Sequence, residues 1–344
     1  MTSTGHPTPG VTAIPTQMLA ASYTRNGPAA EVLHVGMTDT PQPGPGEVLV
    51  HLKCSGVNPS DWKVRKGGQG RVLEYPLVIP HSDGSGIIVA TGQGVDAARV
   101  GERVWLWNAQ WKRPYGTAAQ YISLPSGQAM QMPAALSFEE GACLGIPAIT
   151  ALQAVELARL EAGSTVLIQG GAGSVGYYAI QMAKHLGARV ITTVSSDAKA
   201  AHAASAGADH VINYRTQNVA DEVRAITQGQ LVDAIVEVDF TGNAATYPGV
   251  LRPSGRVVVY GMNHQKVELG TFWFMRSQIS LEFVFVYELS TQDRAKRLAQ
   301  LQAMLAAGSL KHCIAATLDL AEIARAHDMV EQGQVMGHAV LSVA

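Results

Sequence analysis

Hydrophobic positions change their spacing along this chain. From residue 18 to about 125, apolar residues come in short runs, with Pro41, Pro43, Pro45, Gly67 and Gly68 as punctuation. Stretches 47–52, 77–80, 86–91 and 103–107 read as strands, which predicts a compact β-rich, barrel-like domain. Ser137-Phe-Glu-Glu140 then has the form of a capped helix start, and a second helix is predicted over 148–160. From 165 to about 286, strand-length apolar runs alternate with helix-spaced ones. Strands are predicted over 165–168, 189–194, 210–212, 232–238, 256–260 and 279–286. Helices over 175–186 and 198–206 end at Gly187 and Gly207, placed like left-handed stops. This alternation predicts a parallel, doubly wound α/β sheet of the Rossmann type. Further on, Leu298, Leu301 and Leu305 share one face of a helix predicted over 293–307. Asp319-Leu-Ala-Glu322 has capping-box spacing, and a last strand at 338–342 is expected to return to the first domain.

The expected organisation is therefore a disordered tail over 1–17, a β-rich domain over 18–150 and 288–344, and a dinucleotide-binding domain over 151–287. At 344 residues the chain is long enough for two domains. It is 47% hydrophobic and 15% charged, as suits an enzyme with a large interior. A net charge of -2 gives no reason to expect nucleic acid or an anionic membrane as partner. Cys54, Cys143 and Cys313 have no paired spacing, which points to free thiols and a reducing compartment. With no apolar run of membrane-spanning length and no signal-like start, the expected location is the cytoplasm.

The most specific chemistry lies in 164–176. An apolar strand runs into Gly170-Gly171-Ala172-Gly173-Ser174-Val175-Gly176, and an amphipathic helix follows. Gly171, Gly173 and Gly176 have GxGxxG spacing. Glycine allows the tight turn and close approach of backbone to phosphates, and the helix start offers unpaired N–H groups. NAD-preferring sites carry an acid about 20 residues on, near the end of the second strand. Here that place holds Thr192-Thr193-Val194, followed by Ser195, Ser196 and Lys199. Hydroxyls and an ammonium suit a 2′-phosphate, so the expected cofactor is NADPH. Helix capping by the serines and a solvated face for Lys199 are the plainer alternatives.

Four motifs, this loop among them, carry a family resemblance. They are Ser55-Gly-Val-Asn58-Pro59-Ser-Asp61, Pro80-His-Ser-Asp83-Gly-Ser-Gly86 with Gly101-Glu-Arg-Val104, Gly145-Ile-Pro-Ala-Ile-Thr150-Ala151, and Gly163–Gly176 with Gln181 and Lys184. Together they resemble the zinc-free quinone oxidoreductase branch, the zeta-crystallin-like proteins, of the medium-chain dehydrogenase/reductase superfamily. Ser164 stands where that signature usually has an acid. The resemblance implies a GroES-like barrel beside the Rossmann domain. It also aligns Asn58, Ser82 and about Ile146 with the catalytic zinc ligands of related alcohol dehydrogenases, and none of these three is a good ligand. No metal is therefore expected.

Without a Lewis acid, a quinone or an α,β-unsaturated carbonyl is a more suitable hydride acceptor than a simple ketone. The resemblance places Asn58, Lys63 and Thr150 in the catalytic region, although Asn58 could equally be a turn cap and Thr150 an ordinary helix hydroxyl. It places Tyr214 beside the adenosine phosphate. Thr241, Tyr260, Gly261, Met262, Phe285, Val286 and Tyr287 fall at carboxyl ends of later strands, and the resemblance implies that backbone groups there lie against the nicotinamide. Gln69 stands where related enoyl reductases carry a proton-donating tyrosine. Trp107 and Trp111 are candidates for the acceptor pocket. The apolar segments 272–275 and 281–287 lie at the sheet edge which, the resemblance implies, pairs with its twin in a homodimer. Alternatives are reduction of another activated alkene, enone or enoyl, and a cofactor-binding protein with little turnover.

Overall fold

A computed structural model describes residues 13–67 and 73–343. The first part of the expected tail and Gly68 and Gln69 lie outside the described residues. The end of that tail is ordered, because Gln17 opens a strand and pairs with Asp39.

The first domain contains β1 (Gln17–Ser22), β2 (His34–Asp39), β3 (Glu47–Val57), β4 (Asp83–Thr91), β5 (Arg103–Leu106), β6 (Tyr121–Pro125) and β7 (Ala129–Gln131). The long β3 organises it. One edge pairs antiparallel with β4, while its first half also pairs with β6. Stretch 77–80 makes only isolated bridges, through Val78 to Tyr23 and Ile79 to Tyr115. Pro80, lacking an N–H, cannot continue a ladder there.

The second domain contains β8 (Thr165–Ile168), β9 (Arg189–Val194), β10 (His210–Asn213), β11 (Val232–Glu237), β12 (Leu251–Val259) and β13 (Ser280–Phe283). These six strands are all parallel, in the order β10-β9-β8-β11-β12-β13. Strand order therefore reverses between β8 and β11, which opens a crevice at their carboxyl ends. Successive residues of β8 serve opposite faces: Val166 and Ile168 join one core, and Leu167 the other. Helices Ile149–Ala158, Ser174–His185 and Thr291–Ala306 cover the first face, and Val219–Ile226 lies on the second.

The late strand is shorter than predicted. After Phe283 the chain leaves the sheet, and Val286–Glu288 form a tight helical turn at the seam between domains. The helix expected over 148–160 is preceded by a wide turn, Leu144–Ala148, that accommodates Pro147. It closes at Arg159 in the left-handed region. Gly187 and Gly207 do have positive φ, 79° and 105°, and stop their helices. Finally β14 (Ile314–Asp319) and β15 (His338–Ser342) extend the first sheet, with Ala339 opposite Val57 on β3.

Candidate active site

The turn after β8 is shaped by contact. Gly170 has φ 72°. A Cβ on Gly171 would run into Thr192 Oγ1, and one on Gly176 into the Gly170 carbonyl. Gly173 is exposed, and a Cβ there would meet only the Gly170 oxygen, at an ordinary 3.5 Å. It begins the twelve-residue helix Ser174–His185, which has no side-chain cap. The next two helices do: Ser196 Oγ caps Asp197–Ser205, and the Asn218 side chain caps Val219–Ile226. The uncapped N–H groups and the open face above Gly173 fit a pyrophosphate. Ala172 and Val175 complete the loop. Ser174 Oγ donates to the Gly337 carbonyl at 2.7 Å, and Gly337 N–H to the Ala172 carbonyl at 3.0 Å. The 333–337 loop of the first domain thus closes one side. Sequence reading missed it; the glycines framing a short segment before the last strand were the available signal.

At the end of β9, Ser195 and Ser196 are half-buried, and no carboxylate stands before exposed Asp197. Ser196 Oγ accepts from Lys199 N–H at 3.3 Å, so the capping alternative holds for Ser196. Lys199 Nζ reaches the Gly333 carbonyl at 3.1 Å, so its ammonium lies at the same mouth. Tyr214 is exposed just past the end of β10, and its N–H donates to the Val194 carbonyl at the end of β9 at 3.0 Å.

Across the switch point, Asp239 organises the loop after β12. Its carboxylate accepts from Thr241 Oγ1 at 2.9 Å and from Asn263 Nδ2 at 2.7 Å. Thr241 Oγ1 in turn accepts from His264 N–H at 3.1 Å. The Thr241 hydroxyl therefore ties down the Asn263–His264 backbone that follows Tyr260-Gly261-Met262. A Cβ on Gly261 would strike the Val238 carbonyl, so only glycine lets this loop lie so close. Lys63, on helix Pro59–Lys66 of the first domain, donates to the Met262 carbonyl at 3.2 Å. It bridges the two domains over the crevice.

Asn58 sits just before that helix and is buried. Its backbone N–H donates to Asp61 at 2.7 Å and its Nδ2 to Asp83 at 2.8 Å. The other Asp83 oxygen accepts from Ile146 N–H at 2.8 Å. Two of the three places aligned with zinc ligands therefore converge on one buried carboxylate. Burial pushes Asp83 up to about 7, against the hydrogen bonds from Asn58 and Ile146. It pushes Asp61 well above the usual carboxylate range, with the Asn58 hydrogen bond opposing. His81, one residue from Ser82, turns elsewhere: it bonds Ser55 Oγ at 2.8 Å and His327 Nε2 at 2.9 Å. Among the described residues, no three His, Cys, Asp or Glu side chains could hold a metal ion. An amide, a hydroxyl and a backbone N–H do not make a zinc site. Thr150 is buried, and its hydroxyl donates to the Ile146 carbonyl at 2.6 Å.

A cavity of about 640 Å³ opens beside this region at the domain seam. Tyr23, Tyr75, Trp111, Phe285 and Tyr287 give it aromatic walls, and Ser60 and Asp61 give it polar atoms. Trp111 lines it, with Tyr287 tilted against it at 4.7 Å and Phe285 edge-on at 5.4 Å. Trp107 does not line it. Its indole donates to the Gly127 carbonyl at 3.2 Å, and Arg294 stacks on its ring at 4.3 Å. Phe285 and Tyr287 therefore turn their side chains to the cavity, and Val286 is buried.

Residues 44–134 match the alcohol dehydrogenase GroES-like domain, and 174–303 match the zinc-binding dehydrogenase family. The chain is 30% identical to the quinone oxidoreductase of Rattus norvegicus, over 88% of this chain and 90% of that one. It belongs to the medium-chain dehydrogenase/reductase superfamily, in the quinone oxidoreductase branch. Among solved structures, the Pseudomonas syringae quinone oxidoreductase is 26% identical, with a TM-score of 0.83 over 94% of this chain and 99% of that one. A mycobacterial protein complexed with NADPH is 29% identical, also with a TM-score of 0.83, covering 94% and 100%. This medium-chain dehydrogenase/reductase is accordingly an oxidoreductase using a nicotinamide cofactor. Its two-domain architecture is that of the superfamily. Among the described residues no helix is long and apolar enough to cross a membrane.

Proposed function

We propose that this protein is an NADPH-dependent, zinc-independent reductase of quinones or related α,β-unsaturated carbonyls. The observation that carries the proposal is the pairing of an aromatic cavity with a metal-poor centre. The three positions aligned with zinc ligands hold Asn58, Ser82 and Ile146, and Asp83 is bridged by two of them. A flat, conjugated acceptor suits walls made by Trp111, Phe285 and Tyr287.

When bound, the nicotinamide supplies the hydride. The chain's own residues hold and orient. The loop Gly171–Gly176 cradles the pyrophosphate on the start of helix Ser174–His185. Ser195, Lys199 and Tyr214 receive the 2′-phosphate, with no carboxylate before Asp197 to repel it. Lys63 and the Tyr260–Met262 loop close over the nicotinamide end, and Asn58 and Thr150 form its floor. Fixed orientation lowers the barrier without a Lewis acid.

The same reading extends to assembly and location. Strand β13 is the open edge of its sheet, and Phe272, Met275 and Phe283 are exposed around it. A second copy covering this edge gives a homodimer. The three free cysteines suit a reducing cytoplasm. NADPH and NADH oxidation with a panel of quinones and enones tests the proposal. Turnover with NADPH on at least one acceptor class is expected. Tight NADPH binding with no turnover on any acceptor would replace it with a cofactor-binding role.

A further inference from the structure

Tyr287 is held more firmly than a wall residue needs to be. Its carbonyl accepts from Asn108 Nδ2 at 3.2 Å and Arg294 Nη2 at 3.1 Å. Its ring lies against Trp111 at 4.7 Å. Its hydroxyl donates to Ser60 Oγ at 2.8 Å, across the seam from the second domain to the first. Ser60 lies in the first turn of the helix that follows Asn58 and carries Lys63, and Ser60 and Tyr287 both line the cavity. Four anchors thus fix one phenol where an acceptor must meet the cofactor. Preorganisation of this kind is what a donor to developing charge requires. Tyr23 and Tyr75 also line the cavity, but Tyr23 is in the fully buried core. Its backbone pairs with Val78 inside the first domain.

We infer that Tyr287 donates a hydrogen bond, and then a proton, to the carbonyl oxygen of the acceptor, with Ser60 positioning its hydroxyl. This rests on the reductase reading above. For an enone, hydride from NADPH forms a C–H bond at the β-carbon, and the alkene electron pair moves to give an enolate oxygen while NADPH becomes NADP+. The Tyr287 O–H proton passes to that oxygen, giving the enol. With an acceptor bound the two hydroxyls exchange roles, the Tyr287 O–H turning to the acceptor and the Ser60 O–H to the Tyr287 oxygen; as the phenol proton leaves, Ser60 passes its proton to Tyr287 and is reprotonated from solvent entering the cavity. Burial keeps the phenol protonated well above neutral pH, so it meets the acceptor as a donor. Hydride addition to a quinone gains an aromatic ring, which an enone does not, so quinone reduction depends less on this donor.

Among the described lining residues, the cation Lys112 is paired with Glu288 at 2.7 Å, and Asp61 and Glu74 are acidic. A neutral acceptor therefore suits the cavity better than a carboxylate or a phosphorylated thioester.

The test is Tyr287→Phe, with Ser60→Ala as a second variant that keeps the phenol. Phenanthrenequinone binding to cofactor-free protein is read by quenching of tryptophan fluorescence. In Y287F its Kd should rise about tenfold, the loss of one hydrogen bond. NADPH affinity should be unchanged. With NADPH present, kcat for an enone should fall about 100-fold in Y287F, as for loss of a general acid. For phenanthrenequinone it should fall by about tenfold or less, and S60A should show the same order with smaller losses. Equal losses on both acceptors, or unchanged enone kcat in both variants, would overturn the inference. Wild-type protein that reduces neither acceptor would overturn the reductase reading itself, while the binding comparison would still decide whether Tyr287 donates to a carbonyl.

Discussion

The glycine loop and the acceptor cavity lie at the same domain seam and are built in opposite ways. The loop is one contiguous stretch, Gly170–Gly176, whose shape follows from steric contacts within about ten residues and at the ends of two neighbouring strands, at Thr192 and Val238. The cavity takes Tyr23 from the end of β1, Ser60 and Asp61 from a helix, Trp111 from an irregular stretch, and Phe285 and Tyr287 from the other domain. Contiguous sites tolerate little change but are readable locally. Assembled sites can vary one wall at a time, so acceptor choice can diverge while cofactor binding stays.

That contrast can be broken by substitution. The largest effect is expected for Gly176→Val, whose side chain must enter the space of the Gly170 carbonyl. NADPH affinity should drop by about 100-fold, the cost of overpacking a rigid turn. Isothermal titration would measure it, and near-normal binding would show that the loop yields. Next is Trp111→Ala, which should raise KM for quinones about tenfold and leave NADPH affinity alone. A parallel loss of cofactor binding would mean that the two regions are not separable. Lys199→Ala is a smaller change. It should weaken NADPH about fivefold and NADH hardly at all, since the ammonium is near the surface. Equal effects on both cofactors would remove Lys199 from the 2′-phosphate site.

A change in stability, separate from either site's affinity, has a defined sign. Asp83 in the folded protein holds its proton up to about 7, against an ordinary value of 3.8. Between these values the native state binds a proton that the unfolded chain has lost. Its contribution to stability is therefore full at acid pH and falls as pH rises through that window. Asp83→Asn should flatten the slope of denaturation midpoint against pH between about pH 4 and pH 7. An unchanged slope would show that Asp83 is ionised throughout.

The sequence made the second domain legible because its signals are local. β8, β9 and the helix stops at Gly187 and Gly207 are where the periodicity puts them. The late strand over 279–286 was overextended because its apolar run continues past Phe283, while the chain itself turns into the domain seam, where Asn108 of the first domain and Arg294 grip it. Trp107 and Trp111 looked alike in sequence. Which of them faces the cavity depends on Gly127 and Arg294, far away along the chain. Asp83 was visible only as part of a motif, because its partners Asn58 and Ile146 lie in separate segments. The pinning of Tyr287 was not readable for the same reason.

The central claim is hydride transfer to a conjugated acceptor without a metal. The most direct measurement is NADPH oxidation with phenanthrenequinone by protein exhaustively treated with a chelator, with the residual zinc content determined. The account predicts full turnover at far less than one zinc per chain. Activity lost with the metal and restored by added zinc would contradict it.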